Sequence, residues 1–438
     1  MRFFSQLIIF CLLLFSFVEA SNWAVLLSAF DKYKNYSITS VVCRAYAILR
    51  RNGFDKDHII YMSFTDNFDS EENPFPGKIF TSPSEGEGED FAAECRDFID
   101  YKDKDVTAQI YMNILTNNAA AVTKATGIEN PKVLNSTEND NVFLYYMDHG
   151  SSGSVSVGKT ELTKEQMFST INKMWYSNMY KKLVIYFEAC YSGSMFDTFP
   201  ENRDVFIMTS ADSRHFANMA SCPPYDSVNG THLYTCLSGV FDDAWENLIT
   251  NEGSEKTLED VYNSIYATVS NVSDQNPQLF GCVDRMKNEL LSDFIGHINI
   301  TKTSIQRKNS NLQGIVPVSD VPVHLLKWKL IRQNINTNSL IEKQKKIEDE
   351  YYKEIIQRIH QDIYIKRLLV SLFSEYIVDI AMNYTLSSDI TCVQQISQII
   401  HKTCNYEYPF TQEHINALHY ICQFSSISQI QIYFEEQC

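Results

Sequence analysis

Short, dense apolar runs recur through the first half of the chain, and the segments between them carry apolar side chains at helical spacing. Trp23–Phe30 (WAVLLSAF), His58–Phe64 (HIIYMSF), Asn141–Met147 (NVFLYYM), Leu183–Phe187 (LVIYF) and Val205–Thr209 (VFIMT) read as strands bounded by polar residues. Helices are predicted from about Thr39 to Arg51, stopped by Asn52-Gly53, and from Thr107 to Val122, where Thr107 is a natural cap. A third runs from Lys164 to Met179. Thr65 to Asp90, with Asn73-Pro74 and Pro76-Gly77, reads as a long loop. Strands alternating with helices predict an α/β fold with a mostly parallel sheet and helices on both faces. Ligands in such folds bind beyond the carboxyl ends of the strands. The pattern changes near Lys302. Thr301 to Asn338 reads as a linker with one amphipathic piece, His324–Ile331; Ser339 to Glu375 is charged and helical, and the remainder to Cys438 keeps helical periodicity with no convincing strand.

The length of 438 residues fits two or three domains. With 25 Tyr and 27 Phe the chain has ample core material, which excludes general disorder. The 37 Lys plus Arg stand against 54 Asp plus Glu, a net charge of −17 that repels a phosphate backbone and argues against nucleic-acid binding. Arg2, the apolar stretch Leu7–Val18 and Val18-Glu19-Ala20 form a signal peptide expected to span 1–20, with an uncleaved anchor as the competing reading. No later stretch is long and apolar enough to predict a stable membrane span, so a secretory-pathway protein is expected. Triplets at Asn135, Asn229, Asn271, Asn299 and Asn383 are candidate glycan acceptors. Of the 11 cysteines, Cys392, Cys404, Cys422 and Cys438 crowd the last stretch. Two disulfides are the expectation there, in one of three pairings; zinc is the competitor, but this stretch lacks a C-x-x-C pair.

Two of the strands run straight into chemistry. NVFLYYM leads into Asp148-His149-Gly150-Ser151-Ser152-Gly153, and LVIYF into Glu188-Ala189-Cys190-Tyr191-Ser192-Gly193-Ser194. A His and a Cys just past two strand ends can meet over one sheet edge. A thiol becomes a strong nucleophile as thiolate, and an imidazole can take its proton. Gly150 lets its N–H approach a bound carbonyl, and with the Cys190 N–H it would form an oxyanion hole. Taken singly, each residue is as well explained as a structural Cys or a loop-satisfying His; together they point to nucleophilic catalysis.

These pieces resemble the legumains, asparaginyl endopeptidases whose fold is related to that of the caspases. The resemblance is carried by Asn35-Tyr36, Cys43-Arg44-Ala45-Tyr46, Ile48-Leu49 with Asn52-Gly53, Asp148 to Gly153, and Glu188-Ala189-Cys190 with Ser192-Gly193-Ser194-Met195. It continues through Ser319-Asp320-Val321-Pro322-Val323, Lys327-Trp328-Lys329-Leu330 and the order of the four terminal cysteines. The resemblance implies a caspase-like catalytic domain over 21–300, a linker or activation peptide over 301–338 and a disulfide-containing all-α prodomain over 339–438. It further implies Cys190 as nucleophile, His149 as general acid/base, Asn35 as the residue orienting the imidazole, and the Gly150 and Cys190 N–H groups as oxyanion donors. Asn35 therefore makes a poor sugar acceptor, although Asn35-Tyr36-Ser37 matches the triplet. Asp148 is the family's succinimide candidate, the terminal disulfides would be Cys392–Cys422 and Cys404–Cys438, and Asn334, Asn336 and Asn338 lie where processing would occur. No metal or cofactor is implied.

The substrate pocket departs from the family. Glu188 is present, but Ser37 stands where the legumains carry an Arg and Thr235 aligns near their Asp, so a preference for Asn loses its paired donors and counter-charge. Lys32 or Lys34 could substitute if the loop is shifted. The expected function is a lysosomal or vacuolar cysteine endopeptidase zymogen acting on proteins and peptides, with its own C-terminal prodomain as inhibitor. A peptide ligase or transamidase, and a catalytically silent peptide-binding relative, are the alternatives.

Overall fold

The structure, a computed structural model, describes residues 21–82, 87–297, 312–332, 338–384, 390–404, 410 and 412–437. The expected signal peptide, Asn334, Asn336, Cys438 and the side chain of Cys404 lie outside the described residues, and of Asn338 only the backbone is described.

The apolar runs form five strands of one seven-stranded sheet: β1 (Asn22–Ser28), β2 (Ile59–Ser63), β4 (Asn141–Met147), β5 (Lys182–Glu188) and β6 (Val205–Thr209). Short edge strands β3 (Tyr101–Lys102) and β7 (Gln278–Gly281) complete the order β7-β6-β5-β4-β1-β2-β3. Every pairing is parallel except that of β7 with β6. Side chains alternate across the sheet and feed two separate cores. Ala24, Leu26, Phe143, Tyr145, Val184 and Tyr186 pack on one face, and Val25, Leu27, Val142, Leu144, Leu183 and Ile185 on the other. Each such side chain, fully buried, contributes on the order of 1.5–3 kcal/mol.

On the first face lie α1 (Tyr36–Arg51), with α5 (Val240–Glu252) and α6 (Leu258–Ser270); on the second, α2 (Ala108–Leu115), α3 (Ala119–Thr126) and α4 (Lys164–Tyr176). Thr163 caps α4 with a reciprocal capping box to Gln166. Thr107 caps α2 as expected, its hydroxyl accepting from the Ile110 N–H at 3.3 Å. The single helix expected from Thr107 to Val122 is instead two. Asn117 adopts a left-handed φ of 52° and Asn118 recaps the chain by accepting from the Ala121 N–H. Short polar side chains that bond locally favour such a break.

Two disulfides reinforce the first core. Cys43–Cys95 ties α1 to a segment 52 residues later, and Cys222–Cys236 closes a shorter loop. The fully buried Arg44 joins α1 to α5 through Glu246 at 3.2 Å and Asp243 at 3.6 Å.

The C-terminal part is helical: α7 (Val321–Arg332), α8 (Asn338–Leu372), α9 (Ile390–Cys404), α10 (Gln412–Phe424) and α11 (Ile427–Gln437). Within the expected linker, the helical piece extends from Val321 rather than His324, because Val321 and Leu325 bury against the first core. Cys392–Cys422 joins α9 to α10, one of the two expected pairings. A third core gathers Ile365, Leu368, Leu369, Val393, Ile396 and Leu418 around Cys190, Tyr191, Phe216 and Ala217 of the sheet region. No described helix is long and apolar enough to cross a membrane.

Candidate active site

Strand order decides where the chemistry falls. β4 and β5 are neighbours, and Met147 is register partner to Glu188. The Asp148 N–H still donates to the Glu188 carbonyl at 3.2 Å, so pairing persists one step past the strand end. His149 and Cys190 thus stand equally far beyond one rung of the ladder, on strands about 4.8 Å apart. Both line a cleft of about 450 Å³, with Asn35, Ser37, Asp148, Gly150 and Glu188.

The backbone at this edge admits only particular residues. A Cβ on Gly150 would sit 2.2 Å from the Cys190 carbonyl oxygen, so any larger residue would push the two loops apart. Beyond Cys190 the chain turns sharply through Tyr191, which adopts a left-handed φ of 56°. Ser194 locks the turn, its hydroxyl donating to the Tyr191 carbonyl at 2.6 Å and accepting from the Gly153 N–H at 2.8 Å.

Asn35 caps α1 in position only; its side chain turns toward His149. Its Nδ2 donates to the Asp31 carbonyl at 2.6 Å, leaving Oδ1 as the acceptor 3.0 Å from His149 Nε2. That arrangement places the imidazole proton on Nε2 and leaves the Nδ1 lone pair free. Phe30 meets the ring edge-on at 5.0 Å. Burial, reinforced by Lys34, holds the His149 pKa down at about 4. Burial pushes the Cys190 thiol up to about 12, opposed by the backbone N–H groups of Ala217, Gly150 and Cys190 itself. The resting pair is therefore neutral thiol and neutral imidazole, with the sulfur facing two of the expected oxyanion donors.

Asp148 is buried, and burial raises its pKa well above the carboxylate range. Its Oδ1 accepts from the His149 N–H at 2.5 Å, which brings the carboxyl against the next backbone nitrogen, the contact a succinimide would close. Ser37 lines the cleft, its hydroxyl 3.1 Å from Met219 Sδ. Thr235 does not: it is buried outside the lining, donating to the Tyr33 carbonyl at 3.0 Å. Glu188 is 1% exposed; burial and the neighbouring Asp242 raise its carboxyl well above its ordinary range, and the Ser210 hydroxyl works in the other direction.

Several lining residues were not anticipated. Ala217 and Met219 come from the strand Asn218–Ala220 and the residue before it, and Val318, Val321 and Pro322 come from the start of the C-terminal region. Arg358 of α8 holds that last segment, donating to Asp320 Oδ1 at 2.9 Å and to the Ser319 carbonyl. Arg214 reaches the helical part through the Tyr384 carbonyl and Asn416 Oδ1. Asp242, which stands behind the lining beside Glu188, was also missed; the adjacent acids Asp242-Asp243 in the first turn of an apolar helix were the available signal.

A profile described as the Peptidase C13 family matches residues 22–297. The delta-isozyme of vacuolar-processing enzyme from Arabidopsis thaliana is 28% identical over 432 residues, 96% of this chain and 91% of that one. Legumain from Homo sapiens is 30% identical over 332 residues, 75% of this chain and 71% of that one. Among solved structures, caspase-1 from Spodoptera frugiperda aligns with a TM-score of 0.34 and 11% identity, covering 65% of this chain and 92% of that one. A likeness that loose adds nothing to the architecture described above.

Proposed function

The chain belongs to the Peptidase C13 family and is a cysteine endopeptidase; we propose that it cleaves peptide bonds through Cys190 and His149 by way of an acyl-enzyme. The observation that supports this reading is the register: both side chains project from the same level of adjacent parallel strands into one cleft.

In the proposed reaction, His149 Nδ1 takes the thiol proton as Cys190 Sγ bonds to the substrate carbonyl carbon. The negative charge developing on the carbonyl oxygen is met by the Gly150 and Cys190 N–H groups, each such donor worth about 3–4 kcal/mol. The C–N bond breaks as the imidazolium returns the proton to the leaving amine, and a thioester remains. Water attacks next, giving its proton to His149, and the thiol is regenerated with release of the acid. Because both groups rest neutral, proton transfer accompanies attack rather than preceding it. Asn35 supports the cycle by accepting from Nε2, which stabilises the imidazolium without moving it.

The intact chain reads as a zymogen. Val318, Val321 and Pro322 wall the cleft, and the helical part shares a core with Cys190 and Tyr191. Release of that part would open the site; a signal-directed route to a vacuole fits the name of its vacuolar-processing relative, and a lysosome is the corresponding acidic compartment. Turnover of a peptide library with Cys190→Ala and His149→Ala tests the mechanism: both variants are expected to lose activity, and undiminished turnover by Cys190→Ala would eliminate the thiol.

A further inference from the structure

Two carboxyls meet at the floor of the cleft with no described cation between them. Glu188, nearly inaccessible, lines the cleft with Ser37 and Cys190; among the described residues no cation reaches its carboxyl, and the Ser210 hydroxyl is the polar side chain that favours its ionised form. Asp242, from the first turn of α5, stands beside it. A Cβ on Gly239 would lie 2.0 Å from Asp242 Oδ2 and 3.6 Å from Glu188 Oε1, so both carboxyls crowd one glycine, and only the absence of a side chain there makes room. Asp242 Oδ1 accepts from the Tyr145 hydroxyl, while Oδ2 has no partner.

No described cation answers this pair. Arg44, buried near the same helix, is committed to Glu246 and Asp243. Lys34 and Lys159 line the cleft, yet neither forms an ion pair with Glu188 or Asp242 among the described residues. A carboxylate pair in a low-dielectric pocket is costly unless a cation joins it. The small Ser37 leaves the adjacent volume to a ligand, and Ile38, Ala217 and Met219 offer apolar walls for an aliphatic stem.

We propose that this floor is the subsite for a cationic side chain, so that the residue donating the scissile carbonyl is Arg or Lys rather than Asn. The substrate's guanidinium or ammonium supplies the positive charge that no described side chain places between Glu188 and Asp242. With a neutral amide bound the two carboxyls stay protonated, whereas a bound cation lets them ionise and pair with it. This inference rests on the cysteine-peptidase reading above and adds the substrate class to it.

The test uses the purified full-length chain and fluorogenic peptides differing only at that residue: Arg, Lys, Asn, Gln and citrulline, the uncharged counterpart of Arg. Cleavage positions are mapped by mass spectrometry across acidic to neutral buffers. The expected kcat/KM for Arg or Lys exceeds that for citrulline and Asn by at least about 30-fold, the scale of losing one partner of a buried charge pair. Glu188→Gln is expected to remove most of that preference, and Ser37→Arg, which installs an internal cation, to shift it toward neutral residues. The citrulline comparison needs no variant and survives any folding defect of the mutants. Asn preferred over Arg, or Arg and citrulline turned over equally, overturns the cationic subsite while leaving the cysteine peptidase intact. Turnover by Cys190→Ala, or no turnover of any peptide after the chain has been processed in the acidic buffers, overturns the reading beneath it.

Discussion

Asn35 Oδ1 and His149 Nε2 lie 3.0 Å apart although 114 residues of chain separate them. The contact links the start of α1 to the loop after β4 and is held from behind by the Asp31 carbonyl, which accepts from Asn35 Nδ2 at 2.6 Å. It sets both the tautomer and the ring angle of the imidazole.

Asn35→Ala should therefore lower kcat by about 10- to 100-fold with little change in KM, because the ring is left free to rotate away from the thiol. Steady-state kinetics on a small peptide separate the two parameters. A fall confined to KM would show that Asn35 contacts substrate instead.

The buried acids in and behind the cleft predict an inverted stability profile. Asp242 is raised to about 7 by burial and by Asp243, so between its unfolded value near 3.9 and about 7 the folded state holds a proton that the unfolded state has lost. Its contribution is full below that window and declines as pH rises through it; Asp148 and Glu188, also raised by burial, act in the same sense. His149, depressed to about 4, acts oppositely, its contribution being full above 6.5 and lost as pH falls toward 4. Asp66, Asp100 and His215, all raised, add to the first sense, and the depressed His414 and His419 add to the second, so the groups favouring acid prevail and the thermal midpoint should rise from neutral to mildly acidic pH. Differential scanning calorimetry against pH checks this, and Asp242→Asn should flatten the slope.

Turnover should follow a different limb. The imidazole is available as a base until pH falls through about 4, so single-turnover rates should drop only below that point on the acid side. A stopped-flow pH profile with a small peptide reads the midpoint directly, and a midpoint near 6.5 would mean that the imidazole is solvated in the working enzyme.

Cys43–Cys95 spans 52 residues, and in the chain-entropy account a loop of that length stabilises by about 4 kcal/mol. Replacing both cysteines by Ala should lower the denaturant midpoint accordingly, without altering the cleft residues. Guanidinium titration of oxidised and doubly substituted protein measures the difference.

Arg358 fastens the segment that walls the cleft to α8. Asp320 is about half exposed, so the ion pair is screened and worth only about 1 kcal/mol. Arg358→Ala should therefore raise peptide turnover by the unprocessed chain several-fold and no more, read from initial rates before any cleavage of the chain appears on a gel.

Much of this protein is legible in its residue pattern. The five apolar runs became strands of one sheet, and the placement of His149 and Cys190 after two of them followed from local order, because the two-residue period of a strand is a property of neighbouring residues. Pairing was not legible. That Cys43 joins Cys95 and Cys222 joins Cys236, that Asn35 reaches His149, and that Asp242 comes to lie beside Glu188 while Thr235 falls outside the cleft all depend on which elements pack together. Those choices are made by burial over the whole chain: the sheet order β7-β6-β5-β4-β1-β2-β3 sets β4 beside β5, and closing two cores around it carries α1 and α5 to the same edge. Chemistry at the strand ends was written in sequence, whereas the acidic pair behind the pocket floor arose only when distant carboxyls were brought out of water together.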